Sequence, residues 1–249
     1  MKASGDTAAT TVNTLIRQLG DAHKTVQRRA IDEIVAIAAA GDSTVAEKLR
    51  DSIASTDRRV RWAATYALAQ IGAGAFAMDS ADALGEAMGD DDGDIRWAAT
   101  NLMVQLGREN LAEIGALLLK LAADNDRNAR KMALYCIRDL ELAGSELLAV
   151  VERAVRDSDV HVRLAALAVL SRIRDASGQA VRIMLECLKS DSDAGVRRAA
   201  ASALGNVQDA SADAIAALAS AAADRADESL ARAARGALDR LERVGLQKS

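Results

Sequence analysis

Asp159-Val160-His161-Val162-Arg163 decides the fold, because its pattern returns along nearly the whole chain. An Asp stands three residues before an apolar anchor, and an Arg usually follows that anchor. Further copies are Asp57-Arg58-Arg59-Val60-Arg61, Asp92-Gly93-Asp94-Ile95-Arg96, Asp126-Arg127-Asn128-Ala129-Arg130 and Asp193-Ala194-Gly195-Val196-Arg197. The last copy, Asp227-Glu228-Ser229-Leu230-Ala231, lacks the Arg, and the first, His23-Lys24-Thr25-Val26-Gln27, lacks both charges. The anchors at 26, 60, 95, 129, 162, 196 and 230 are 34, 35, 34, 33, 34 and 34 residues apart. A period of that length marks stacked structural units, not a globule around one core.

Apolar residues follow each anchor at helical spacing, as in Val60, Ala63, Ala64, Ala67, Leu68 and Ile71. That is the buried stripe of an amphipathic helix, and its small Ala residues allow close helix approach. The Asp suits an N-cap, since its carboxylate accepts a free backbone N–H of the first turn and sits at the positive end of the dipole. The following Arg reaches an Asp of its own or an adjacent repeat. Asp57, Arg61, Asp92, Arg96, Asp126, Arg130, Asp159, Arg163, Asp193 and Arg197 therefore read as a structural ladder, not as catalytic groups. A shorter apolar stretch precedes each capped helix, for example Val181-Met184-Leu185-Leu188. Turns such as Gly41-Asp42-Ser43, Gly107-Arg108-Glu109-Asn110 and Ala143-Gly144-Ser145 join the units. About seven helix pairs result, and the atypical first and last copies fit repeats with one face to water.

The stretch from Ser190 to Gly205, with Asp193, Val196, Arg197 and the Ala-rich run 199–203, resembles the HEAT repeat. More narrowly it is similar to bacterial HEAT-like repeats of the phycobilisome-lyase type. The resemblance implies an all-α, right-handed α-solenoid of armadillo type. One array over residues 10–244 is expected, with tails at 1–9 and 245–249. The chain has no Pro, which HEAT units often carry, and straighter first helices are the expected consequence.

Composition narrows the function classes. The chain is half hydrophobic with 2% aromatic residues, as an Ala- and Leu-rich helical array should be. A net charge of −4 gives no general attraction to nucleic acid or anionic membranes. No apolar stretch suits a bilayer span or a signal sequence, so a cytoplasmic address is expected. Cys136 and Cys187 fall at apolar helical positions and read as buried thiols. No phosphate loop, nucleophile elbow or metal-binding Cys or His pattern occurs, and no cofactor is expected. HEAT-like iron hydroxylases use His-Glu pairs, which this sequence lacks. Asp79, Asp82, Glu86, Asp90, Asp91, Asp92 and Asp94 form an acidic run, but the spacing does not fit a calcium loop, and Asn101 stands where its Glu would be. Residues 153 to 198 are mildly basic.

The resemblance places the second helix of each pair on the concave wall. On such a helix the positions two, six and nine after the anchor face away from the buried stripe. Four of the five aromatic residues, Trp62, Tyr66, Trp97 and Tyr135, fall there, beside Asn101, Lys131 and Arg138. Trp62 and Trp97 share the context Arg-Trp-Ala-Ala-Thr. Exposed Trp, Tyr and Arg dominate interface hot spots, so these seven residues are the candidate partner-binding wall. Packing of each Trp over a seam between repeats is the competing reading. The leading functional expectation is a non-enzymatic scaffold or adaptor for a protein or peptide, with Lys131 and Arg138 orienting an acidic segment. A bilin-lyase-type or chromophore-handling chaperone subunit is the alternative that the resemblance suggests. A nucleic-acid-binding HEAT-like protein, with Asp139 near Tyr135, is opposed by the net charge.

Overall fold

A computed structural model describes residues 3–71, 81–173, 178–208 and 210–247. Fourteen α-helices and no strands occur among the described residues. The first helices of the pairs are α1 (Ala3–Gln18), α3 (Ser43–Ile53), α5 (Ala81–Ala87), α7 (Leu111–Leu121), α9 (Ser145–Ala154), α11 (Gly178–Ser190) and α13 (Ala212–Ala222). The second helices are α2 (Lys24–Ala39), α4 (Arg58–Ile71), α6 (Gly93–Glu109), α8 (Arg127–Asp139), α10 (Val160–Leu170), α12 (Ala194–Leu204) and α14 (Glu228–Gln247). Seven pairs thus form an α-solenoid at the positions where the anchor period puts them. The helices pack into two compact units, residues 1–117 and 118–249, and the division falls within α7.

In the first unit α1 packs on α2, α3 on α4 and α5 on α6, while α2, α4 and α6 also pack in succession. In the second unit α9, α11 and α13 lie against α10, α12 and α14, and α8, α10, α12 and α14 pack in succession. α4 and α12, for example, therefore bury two flanks: α4 on α3 and on α2 and α6, α12 on α11 and on α10 and α14. Ile95, Val162 and Val196 are fully buried anchors, and burial of such a side chain is worth ~1.5–3 kcal/mol.

The expected caps form. Asp126 Oδ1 accepts the Ala129 N–H at 2.8 Å, Asp193 that of Val196 at 3.0 Å and Asp227 that of Leu230 at 2.9 Å. Asp57, Asp92 and Asp159 each accept the N–H two residues on, at 2.8 Å. His23 makes no such cap; Asp21 accepts the His23 N–H instead. Gln27, standing where the ladder Arg would be, is buried and donates to the carbonyls of Leu19 and Arg59 at 2.7 and 3.4 Å. Gly144, at φ +125°, leads into α9 in a conformation that an L side chain resists. Gly107 was expected in a turn, but α6 continues to Glu109 and buries it.

Candidate functional site

The ladder is built from three residues per rung, not two. Each Arg after an anchor first closes its own turn. Arg130 Nη1 donates to the Asp124 and Asn125 carbonyls at 3.0 and 2.9 Å, and Arg163 Nη1 to those of Asp157 and Ser158 at 3.0 and 3.4 Å. These are carbonyls of the turn that joins the two helices of the pair. The rest of the guanidinium forks onto the following repeat. Arg130 Nε and Nη2 donate to Asp157 at 2.7 and 2.9 Å, and Arg163 to Asp191 at 2.9 and 3.1 Å. In the first unit Arg61 makes the same fork on Asp90.

The receiving Asp stands two residues before the cap and was not part of the expected ladder. It also accepts the backbone N–H of the capping Asp: Asp157 takes that of Asp159 at 2.9 Å and Asp191 that of Asp193 at 2.8 Å. The sequence signal was present as Asp-x-Asp at 90–92, 124–126, 157–159 and 191–193. Most of the rung is out of water, with Asp191 8% and Arg163 13% exposed. Bonding to Asp90 raises the Arg61 pKa above its ordinary value against the opposing effect of burial, and Asp157 does the same for Arg130. Burial works to raise Asp92, but the Arg58 guanidinium and the Asp94 and Ile95 N–H groups outweigh it and hold the carboxyl below the usual range. Asp159 is likewise held low by the His161 and Val162 N–H groups against burial. The acidic run is thus partly structural: Asp90 takes Arg61, and Asp92 caps α6 and takes Arg58. Asp79 lies outside the described residues.

The basic half is also largely balanced internally. Arg156 bonds Glu186 and Glu152, Arg182 bonds Glu152, and Arg172 lies 3.9 Å from Glu141. Gln179, then Arg182, hold the Glu152 carboxyl below its ordinary pKa. Cys136 and Cys187 are buried thiols. Burial raises both pKa values, that of Cys187 to about 11 with Asp191 and Glu186 adding to it, so neither is poised as a nucleophile.

In the first unit the outward positions of α4 and α6 carry Trp62, Tyr66, Trp97 and Asn101. Trp97 is 50% and Tyr66 45% exposed, large values for aromatic side chains. Asn101 is exposed and Trp62 half-buried. Trp62 stacks on Tyr66, one turn along α4, with centroids 5.2 Å apart and planes within 7°. Behind them the Thr65 and Thr100 hydroxyls are buried and donate to the Arg61 and Arg96 carbonyls at 2.8 and 2.7 Å. The shared Arg-Trp-Ala-Ala-Thr context therefore buries its second Ala and its Thr in both helices, while Trp97 is exposed and Trp62 half-buried.

In the second unit Lys131, Tyr135 and Arg138 on α8 are half-buried. Arg138 lies over the Tyr135 ring at 4.9 Å and bonds Asp139 at 2.7 Å. Lys131 Nζ reaches Asn128 at 3.5 Å. The nine-after positions do not all point outward as expected. Val104 is buried, and a Cβ on the buried Gly205 would meet Ala237 of α14 at 2.6–2.7 Å. At Gly205 that side of α12 faces α14, a contact that a single buried stripe does not contain.

Comparison with known proteins agrees with this architecture. Residues 12–109 match the family profile for HEAT repeats, and residues 180–211 match that for the HEAT repeat. No curated protein matches the chain by sequence. Among solved structures, importin beta aligns over 94% of the chain at 16% identity with a TM-score of 0.66. Kap95p, in a structure with RanGDP, aligns over 93% at 14% identity with a TM-score of 0.63. The chain spans about a third (35%) of each of those two. An archaeal HEAT-like repeats protein from Thermococcus onnurineus NA1 aligns over 94% of this chain and 97% of its own, at 13% identity and a TM-score of 0.55. Identities this low speak for the fold alone. The two matched stretches are HEAT repeats, and the chain that carries them has the HEAT/armadillo solenoid fold.

Proposed function

We propose that this chain is a non-enzymatic scaffold or adaptor that binds a protein or peptide on the outward face of its second helices. The observation that carries the reading is the exposure of Trp97 and Tyr66, with Trp62 stacked on the latter. A stacked, helix-anchored pair loses little conformational freedom on binding, which is how aromatic anchors give affinity at low entropic cost. Asn101 offers both a donor and an acceptor to a partner backbone. In the second unit Lys131, Tyr135 and Arg138 form a second cluster, and Lys131 is the group through which an acidic segment is preferred. The fold is compatible: Kap95p, similar in fold at 14% identity, binds RanGDP. Among the described residues no helix is long and apolar enough to cross a membrane, and the two buried thiols Cys136 and Cys187 suit a reducing, cytoplasmic setting.

The test is affinity capture from the source lysate with the wild type and with a Trp62→Ala, Trp97→Ala double variant of unchanged helical circular dichroism. A partner retained by the wild type and lost by the variant is the expected result. Equal capture by both proteins removes the aromatic face from the interface.

A further inference from the structure

The last seam of the second unit departs from the Arg61, Arg130 and Arg163 rungs by one carboxylate. In the rungs of Arg61, Arg130 and Arg163 the residue two before the next cap is Asp90, Asp157 or Asp191. Two before Asp227 stands Arg225, and the nearby Asp224 is engaged by the Ala226 N–H at 2.8 Å. Arg197 therefore finds no fork. Its Nη1 closes its own turn on the Asp191 and Ser192 carbonyls at 2.9 and 3.2 Å, and Nη2 reaches Asp227 at only 3.5 Å. Its Nε, which holds a carboxylate in the Arg61, Arg130 and Arg163 rungs, has no acceptor among the described residues.

Beside this guanidinium lies an open cleft of about 630 Å³. Lys189 lines it, exposed and without an acidic partner among the described residues. The walls between are Leu188, Ala217, Ala221 and Leu230, and α13 leaves the space open because it offers only small side chains there. Of the acids that line it, Asp191 is paired with Arg163 by the fork, while Asp224 has no cationic partner among the described residues.

We propose that this cleft is a binding site for a monocarboxylate with a short apolar body. The carboxylate takes the fork on Arg197 that Asp157 and Asp191 take in the earlier rungs, with Lys189 as the second cation. The apolar body lies against Leu188, Ala217 and Leu230. Asp224 opposes a second negative charge, so a phosphate dianion is discriminated against. The carboxylate comes either from a free acid or from the C-terminus of a peptide. The site is independent of the aromatic face of the first unit.

The test follows the Arg197 Nε–H and Leu230 methyl resonances by NMR in the full chain. Titrants are hexanoate, hexanamide, inorganic phosphate, and an N-acetylated dipeptide ending in Leu as free acid and as amide. Saturable shifts with hexanoate assign a free acid, and with the peptide acid alone a chain terminus; either supports the site, provided that the amides and phosphate are silent. Arg225→Asp places a carboxylate in the rung register on an exposed turn, and we expect it to weaken the response at least about tenfold while raising the unfolding midpoint. No saturable shift from any carboxylate at concentrations that would fill a site of ~1 mM Kd overturns the proposal. Equal shifts from hexanamide, or undiminished binding by Arg225→Asp, overturn it as well.

Discussion

The rung line and the aromatic face belong to the same second helices and treat their side chains in opposite ways. On the rung line every guanidinium of the Arg61, Arg130 and Arg163 rungs meets a carboxylate and two carbonyls, largely away from water. On the outward face of α4 and α6, rings that could have been buried stand half in solvent. Much of the charge, which usually advertises a partner, is consumed inside the fold. The aromatics, which usually build cores, are left outside it. In an array whose core is mostly aliphatic and Ala, Trp is not needed for packing, so its placement on the surface carries more information than the count of arginines.

The sharpest way to break that contrast is to remove a rung carboxylate. Asp157→Ala strips Arg130 of its fork and leaves the Asp159 N–H without its acceptor. A mostly buried guanidinium without its carboxylate and a lost backbone acceptor together cost ~2–4 kcal/mol. Urea unfolding followed by circular dichroism should show the midpoint fall clearly. A midpoint unchanged within error would mean that water replaces the rung at no cost and that the ladder is decoration.

A milder perturbation reaches the carboxyls by acid. Asp92 and Asp159 have folded pKa values below the ordinary 3.8. Depressed carboxyls stabilise the fold above the unfolded value, and that stability is lost as pH falls through the folded values. The urea midpoint should be flat from about pH 7 to about pH 5 and decline from about pH 4 downward. Asp159→Asn cannot titrate at that position and should flatten part of the decline. An acid limb of equal depth in the variant would assign the effect to other carboxyls.

Much of this was legible in the residues. Anchors every 33 to 35 residues gave the pairs, and an Asp three before each anchor from Val60 onward gave the caps, because both depend on local geometry. The rung acceptors were missed although Asp157-Ser158-Asp159 and Asp191-Ser192-Asp193 display them. Two acids in one turn look like one cap and one solvated neighbour until the preceding Arg is brought across the seam. Gly205 was misplaced for a related reason: helical periodicity encodes the flank against a helix's own pair, whereas the flank against the next repeat, here α14, is set by stacking. Positions two and six after the anchor were readable, since they lie opposite both flanks, and Trp97, Tyr66 and Asn101 are exposed there. That Trp62 would stack on Tyr66 follows from their spacing of four along one helix.

The smallest expected effect is the most diagnostic for the outward face. Trp97→Ala removes a ring that is already half in water, on a helix where Ala is the better helix former. The loss of partial packing and the gain in propensity nearly offset, so the unfolding midpoint should move by less than ~1 kcal/mol equivalent. Asp157→Ala, a smaller side chain removed, should cost several times more. That inversion, with the larger residue mattering less to the fold, is what an interface residue predicts. A Trp97→Ala loss as large as that of the rung variant would instead make the tryptophan a packing element of the first unit, and the aromatic face would then be explained by the fold alone.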